Sequence, residues 1–185
     1  TGVVDALPAI PGLAERWGKS VFHCPYCHGY ELNKGRIGVL GVSPMSMHHA
    51  LLLPDWGETT FFVNDAFMLD DAQRAQLKKR GVRIECTPIE AIAGDADVML
   101  TDGRVVALDG LFTMTQTSPA SPLAEQLGCL LEQGPAGPFI QTNMFKETSV
   151  SGVFACGDVA RAAGSVALAV GDGAHAGVGV HRSLI

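Results

Sequence analysis

Basic residues are scarce in this 185-residue chain: 13 of them, with Lys78-Lys79-Arg80 the single run, are outnumbered by 19 acidic ones for a formal net charge of −6. So acidic a balance offers little attraction to a long phosphate backbone or an anionic bilayer, which argues against nucleic-acid and membrane-surface binding. Long apolar runs are missing too. The most apolar late segment, Ala162 to Val180, is interrupted by Asp172 and His175 and is rich in glycine, so nothing is expected to span a bilayer. No charged start followed by an apolar run opens the chain. Aromatic residues make up only 6% of it, and repeats and low-complexity tracts are absent. The five cysteines are odd in number and lack the spacing of a disulfide framework, which suits a reducing compartment, so the expectation is cytoplasmic. What is present is 47% hydrophobic residues, enough to bury a substantial core in one large domain or two small ones.

The chemistry gathers in His23-Cys24-Pro25-Tyr26-Cys27-His28-Gly29-Tyr30-Glu31. Two cysteines separated by two residues can close a small ring or open to a dithiol, and the intervening proline stiffens the turn. The thiolate is the attacking species, and histidines at 23 and 28 can stabilise it or carry its proton. Other uses of the same residues compete. C-x-x-C-H is formally a haem-attachment pattern, but a helical setting and a secretory leader are not evident. Zinc would find half a site in Cys24 and Cys27, with no second C-x-x-C or H-x3-5-H to complete it, so no metal is expected. A glutaredoxin-like C-P-Y-C would open a helix, which Gly29, Asn33 and Gly35 do not permit. Two inert structural cysteines remain the plain alternative.

Residues 3 to 20, with Pro8, Pro11 and Gly12, read as an extended connector. Arg36 to Gly41 is a short strand closed by glycine, Met45 to Leu53 a helix, and Thr59 to Val63 a second strand parallel to the first, which makes a βαβ unit. Asp70 to Arg80 is an amphipathic helix, Val82 to Cys86 a strand, Asp97 to Leu108 a hairpin turning at Asp102-Gly103, and Gly110 to Met114 another strand. Ser, Thr and Pro accumulate from Gln116 to Pro122, where a domain boundary is placed. A brief helix over 123–127 and a strand at Phe139 to Gln141 follow. Gly152-Val153-Phe154-Ala155-Cys156-Gly157-Asp158 reads as a buried strand ending in Gly-Asp, before a Gly/Ala-rich helix from about Ser165. The fold class is therefore α/β.

A glycine turn between strand and helix can admit a pyrophosphate to the helix N-terminus. At Gly41-Val42-Ser43-Pro44-Met45-Ser46, serines stand where the second glycine and the last small residue of G-x-G-x-x-G/A belong. Asp65, about 20 residues on, sits where an acid would take the ribose hydroxyls, and no arginine follows closely for a 2′-phosphate, which favours NADH over NADPH. A Rossmann-like domain without nucleotide stays open beside this. Gly157-Asp158, at a strand end, can accept hydrogen bonds from a polyol, or can simply cap a helix.

Together these pieces resemble the low-molecular-weight thioredoxin reductase family of pyridine nucleotide-disulfide oxidoreductases. Thr1-Gly2 matches the end of its A-T-G stretch, Cys24-Pro25-Tyr26-Cys27 with Gly29 its redox site, the Gly41 turn its nicotinamide motif, and residues 152–158 its late flavin motif. The resemblance implies a Rossmann-like three-layer nicotinamide domain over residues 10–115. It also implies the C-terminal part of a Rossmann-like FAD domain over 116–185, with residues 1–9 the end of a first FAD segment that lies upstream. It further implies FAD, a nicotinamide donor, a homodimer, and a disulfide or dithiol substrate that is a thioredoxin-like protein or a small molecule. Carried over, Cys27 lies nearest the flavin and Cys24 exchanges with substrate. Gly157 and Asp158 hold the ribityl chain, Ser165, Val166 and Ala167 meet the isoalloxazine edge, and Gly41, Ser43 and Asp65 face the nicotinamide nucleotide. The chain departs from the family in having His28 where an Asp usually follows the second cysteine, and Asn64-Asp65-Ala66 in place of H-R-R. Those departures resemble the branch of flavin-dependent dithiol oxidases, in which His28 or His23 is the base and oxygen the acceptor. A non-catalytic remnant is the third possibility.

Overall fold

The computed structural model describes residues 2–185, so the Thr1 part of the A-T-G match lies outside the described residues. The chain divides into two units, Leu7–Met114 and a second made of Thr1–Ala6 with Thr115–Ile185. In chain order the elements begin with β1 (Val3–Ala6), β2 (Val21–Phe22), α1 (Pro25–His28), β3 (Lys34–Leu40), α2 (Ser46–Leu52) and β4 (Gly57–Phe62). There follow α3 (Asp71–Lys79), β5 (Arg83–Glu85), β6 (Ile89–Ala93), β7 (Asp97–Leu100), β8 (Val105–Val106) and β9 (Gly110–Thr113). The last are β10 (Gln116–Pro119), α4 (Leu123–Gln126), β11 (Leu131–Gly134), β12 (Gly137–Ile140) and α5 (Val166–Ser183).

The Leu7–Met114 unit is built on a five-stranded sheet in the order β2-β9-β3-β4-β5, every pairing parallel. Its central strands are buried on both faces, hence the near-continuous apolar run Ile37-Gly38-Val39-Leu40. Side chains alternate across it: Val39, Phe61 and Phe112 pack with Met47, Ala50 and Leu53 of the α2 region and Leu77 of α3. Leu40, Phe62 and Leu111 pack on the other side with Ile89, Ile92, Val98 and Leu100 of the antiparallel sheet β6-β7-β8. The sheet is thus sandwiched between helices and a small β layer, a mixed α/β fold with a parallel sheet. Asp70 closes the start of α3 with a full capping box, its carboxylate accepting from the Gln73 N–H at 2.7 Å while Gln73 Oε1 accepts from the Asp70 N–H at 3.0 Å.

In the second unit β1 pairs antiparallel with β10, β11 with β12 form a hairpin, and a small core of Ala124, Cys129, Ile140 and Ala160 lies between them and the loops. Its long helix α5 is tied through buried Asp172, which accepts from Arg161 at 2.9 Å and from Lys146 at 2.8 Å. No helix among the described residues is long and apolar enough to cross a membrane.

One expectation is corrected. Residues 152–158 form no strand: Phe154 makes one antiparallel bridge to Glu147, and the Ala155 N–H donates to the Lys146 carbonyl. Glycines with φ 77° and 75° at 152 and 157 break the extended stretch at both ends, which leaves too little length for a ladder. Gln116 to Pro119 form the strand β10, because polar side chains alternate along an edge and the backbone finds β1. Residues 3 to 20 hold β1, a short extended stretch and a 3-10 turn at Ala14–Arg16.

Candidate active site

Because the main sheet is parallel, the carboxyl ends of β2, β3 and β4 open on one edge, where ligands of such sheets bind. The segments after these strands carry Cys24 to His28, Gly41 to Ser46, and Asn64-Asp65. Cys24 is the N-cap of α1 and Pro25 occupies its first turn, where a missing N–H costs nothing. The amides of Cys27 and His28 both donate to the Cys24 carbonyl, at 3.2 and 3.3 Å, and this folds the two sulfurs back on one another. They are free thiols 2.8 Å apart, with Cys27 donating to Cys24; Cys27 is exposed and Cys24 half-buried. That hydrogen bond, with burial and the neighbouring sulfur adding to it, pushes the Cys27 thiol up to about 11. Cys27 therefore keeps its proton near neutrality.

Aromatic rings frame this turn. Tyr26 meets Trp56 edge-on at 5.4 Å, and Tyr30 is almost wholly exposed beside a cavity of about 620 Å³ lined in part by Trp56, Lys34 and Asp55. Gly29 is required here: a Cβ would sit 2.7 Å from the Trp56 ring and 2.6 Å from the Pro25 carbonyl. His28 stacks on Phe22 with ring centroids 4.4 Å apart, and its Nδ1 lies 3.6 Å from Glu31. On the other side of the turn His23 contacts the ring of His49 at 5.8 Å, and His48 lies 6.1 Å from His49. His49, on α2, is buried with Nδ1 lacking any hydrogen-bond partner among the described residues. Burial, with the two neighbouring imidazoles adding to it, lowers it to about 4. The His48-His49 pair follows the glycine turn in the sequence, but nothing in its pattern distinguishes a site histidine from a core one. Trp56 was equally silent, because its relation to the cysteines is tertiary.

The Gly41 turn lies at the same edge, its N–H donating to the Phe62 carbonyl at 2.7 Å. The donors a pyrophosphate would need are already engaged. Ser46 Oγ accepts from the Val42 N–H at 3.0 Å and from the Ser43 N–H at 3.4 Å. The amides of Ser46, Met47 and His48 donate to the carbonyls of Ser43, Pro44 and Met45. The short α2 thus offers a phosphate almost no free N–H, and the residues do not fit a dinucleotide in the usual manner. Ser46 stood in the pattern as a small residue keeping helix and strand close; its hydroxyl also fills the turn. Asp65 is exposed, and with Asn64 it adopts left-handed backbone at φ 53°.

The flavin candidates lie in the other unit. Asp158 is exposed and follows Gly157, and a side chain at Gly164 would run into the Asp158 carboxylate, so glycine keeps that space for it. Ser165 caps α5, its Oγ accepting from the Leu168 N–H at 3.3 Å. The amides of Val166 and Ala167 have no backbone partner among the described residues. A free carboxylate for hydroxyls and open N–H groups at an 18-residue helix fit a polyol and an anionic ring edge. No group of three or more His, Cys, Asp or Glu among the described residues is arranged to hold a metal.

The pattern of the pyridine nucleotide-disulphide oxidoreductase family matches residues 1–173. Thioredoxin reductase sirT of Leptosphaeria maculans is 34% identical across 98% of this chain and 60% of its own length. Thioredoxin reductase tcpT of Claviceps purpurea is 35% identical across 85% of this chain and 52% of its own length. Among solved structures, an oxidoreductase from Agrobacterium tumefaciens superposes with a TM-score of 0.96 at 60% identity, over all of this chain and 62% of that one. The chain thus spans between half and two thirds of the proteins it matches. With its parallel-sheet fold and these relatives, the chain belongs to the pyridine nucleotide-disulphide oxidoreductase family, in the thioredoxin reductase-like group.

Proposed function

We propose that the protein is a flavin-dependent thiol–disulfide oxidoreductase of thioredoxin reductase type, with Cys24 and Cys27 as its redox pair. On this reading residues 10–115 form the nicotinamide-type domain and residues 116–185 the closing part of an FAD domain. The observation that carries it is the apposition of two free thiols, 2.8 Å apart in a proline-stiffened turn at the solvent edge. Inert core cysteines need neither the exposure of Cys27 nor the hydrogen bond between the sulfurs.

Cys24 attacks a substrate disulfide; a mixed disulfide forms, and one substrate sulfur leaves as a thiolate that takes up a proton. Cys27 then gives up its proton, for which His28 is the candidate acceptor, and attacks Cys24. The Cys24–Cys27 disulfide closes, the second substrate sulfur departs, and the substrate has gained the two electrons the pair has lost. FAD bound by Gly157, Asp158 and the Ser165 to Ala167 turn supplies the two-electron chemistry that returns the pair to the dithiol. The substrate is a thioredoxin-like protein or a small disulfide.

A second reading has a specific observation in its favour. The engaged amides of the Gly41 turn, with Asp65 out in solvent, suit a protein whose electrons do not come from NADH or NADPH. The same exchange then runs backwards: an external dithiol reduces the Cys24–Cys27 disulfide, and oxygen is the final acceptor. Anaerobic titration of the flavin-loaded protein separates the two. Loss of flavin absorbance on adding NADH or NADPH supports the reductase, and loss only with a dithiol such as dithiothreitol supports the oxidase. A protein that takes up no flavin contradicts both.

A further inference from the structure

At the edge of the main sheet opposite the cysteines, the amino ends of β3, β4 and β5 open into a cavity of about 720 Å³, with α3 on one wall and the β8–β9 connection on another. Four cations line it, Arg36, Arg74, Lys78 and Arg83, against one acid, Glu58. These are four of only 13 basic residues in a chain of net charge −6, so the local sign is the reverse of the whole. Elsewhere in this unit exposed arginines are paired: Arg80 with Asp55, and Arg104 with Glu85 and Asp102. In the cavity only Arg36 has such a partner, Asp109 at 3.3 Å. Arg74, Lys78 and Arg83 have no carboxylate within ion-pair distance among the described residues. Arg74 and Lys78 stand four apart on α3 and so share a face, where like charges repel unless an anion lies between them. Concave walls focus such a field, and the apolar side chains of Ile84 and Val106 lie beside the cations.

We propose that this cleft binds a small organic polyanion: a ligand of nucleotide size with two or more negative charges on phosphate groups and a flat or apolar body. The volume lies within the usual range of small-ligand pockets, roughly 300–1,000 Å³. Three unpaired cations match a di- or triphosphate in charge, and two of them are arginines able to grip phosphate with two N–H groups. Arg36 lies near the start of the strand that ends before the Gly41 turn, so the two places lie roughly 17 Å apart along β3 at ~3.3 Å per residue. The cleft is thus separate from the nicotinamide turn, and nothing in its chemistry depends on the cysteines.

Isothermal titration of the purified chain with ATP and with inorganic triphosphate tests this without any redox readout. ATP is expected to bind at one site, more tightly than triphosphate because of its apolar body, and to weaken as salt is raised. The double substitution Lys78→Glu with Arg83→Glu is expected to weaken it by more than about tenfold, a loss that Lys78→Arg does not reproduce. Both positions are exposed, so an unchanged melting temperature shows that the variants remain folded. Ser43→Tyr, at the Gly41 turn, is expected to leave ATP binding intact. The proposal is overturned if neither probe saturates at millimolar concentration, if the double variant binds as well as the parent, or if Ser43→Tyr is the change that abolishes binding.

Discussion

Replacing His49 by leucine is expected to remove an acid sensitivity from the Leu7–Met114 unit. His49 is only 5% exposed, its Nδ1 has no partner, and burial beside His23 and His48 holds it at about 4 against an ordinary 6.5. The folded state therefore keeps it neutral where the unfolded chain protonates it. The stability it allows is complete above pH 6.5 and drains away as pH falls toward 4. Each pH unit in that window costs about 1.4 kcal/mol, so between pH 6.5 and 5 the loss is roughly 2 kcal/mol. Glu85, lowered to about 2 chiefly by its hydrogen bond from Arg104, sheds its own contribution only once pH falls below 4.5, so the windows are nearly separate. The assay is urea unfolding followed by tryptophan fluorescence, because both tryptophans, Trp17 and Trp56, lie in this unit. The parent should lose about 2 kcal/mol from pH 7 to 5, while the leucine variant should stay nearly flat. At neutral pH the two should lie within about 1–2 kcal/mol, since removing an orphaned nitrogen offsets imperfect packing. A parent indifferent to pH in that range, or a variant just as steep, refutes the reasoning.

Gly29→Ala should destabilise the redox turn by about 1–3 kcal/mol, because the new methyl meets both the Trp56 ring and the Pro25 carbonyl; a Trp56 emission identical to the parent's would count against that packing. Asp172→Asn should cost about 3–5 kcal/mol by leaving Lys146 and Arg161 facing each other unneutralised, read as earlier proteolysis of α5; a fully resistant helix would contradict it. The hydrogen bond from Lys146 leads in holding Asp172 below the ordinary carboxylate range. The protection of α5 should therefore be present above about pH 4 and be lost as pH falls further.

The main sheet was legible because β3, β4 and β9 carry buried apolar runs set off by glycine and turn residues, and the α3 capping box was written locally in Asp70 and Gln73. The second unit was harder to read. β10 and β11 are short and polar, and they exist because β1 and β12 offer backbone partners that no local pattern announces. Residues 152–158 misled for the converse reason, since an apolar run bounded by glycines resembles a strand whether or not a ladder is available. Within the site, C-x-x-C and its histidines were visible as motif. The packing of Trp56 under Gly29 arises from chain distant in sequence, and the stacking of His28 on Phe22 from the way the short turn between them folds back. The closing of the Gly41 turn by a serine hydroxyl depended on a rotamer.

The account rests on Cys24 and Cys27 acting as one two-electron couple, and equilibration with glutathione redox buffers followed by thiol alkylation and peptide mapping measures that most directly. A single transition in which both cysteines lose reactivity together and are recovered as one cross-linked peptide is the predicted result. Independent oxidation of the two sulfurs, with no Cys24–Cys27 peptide at any ratio of oxidised to reduced glutathione, would contradict it.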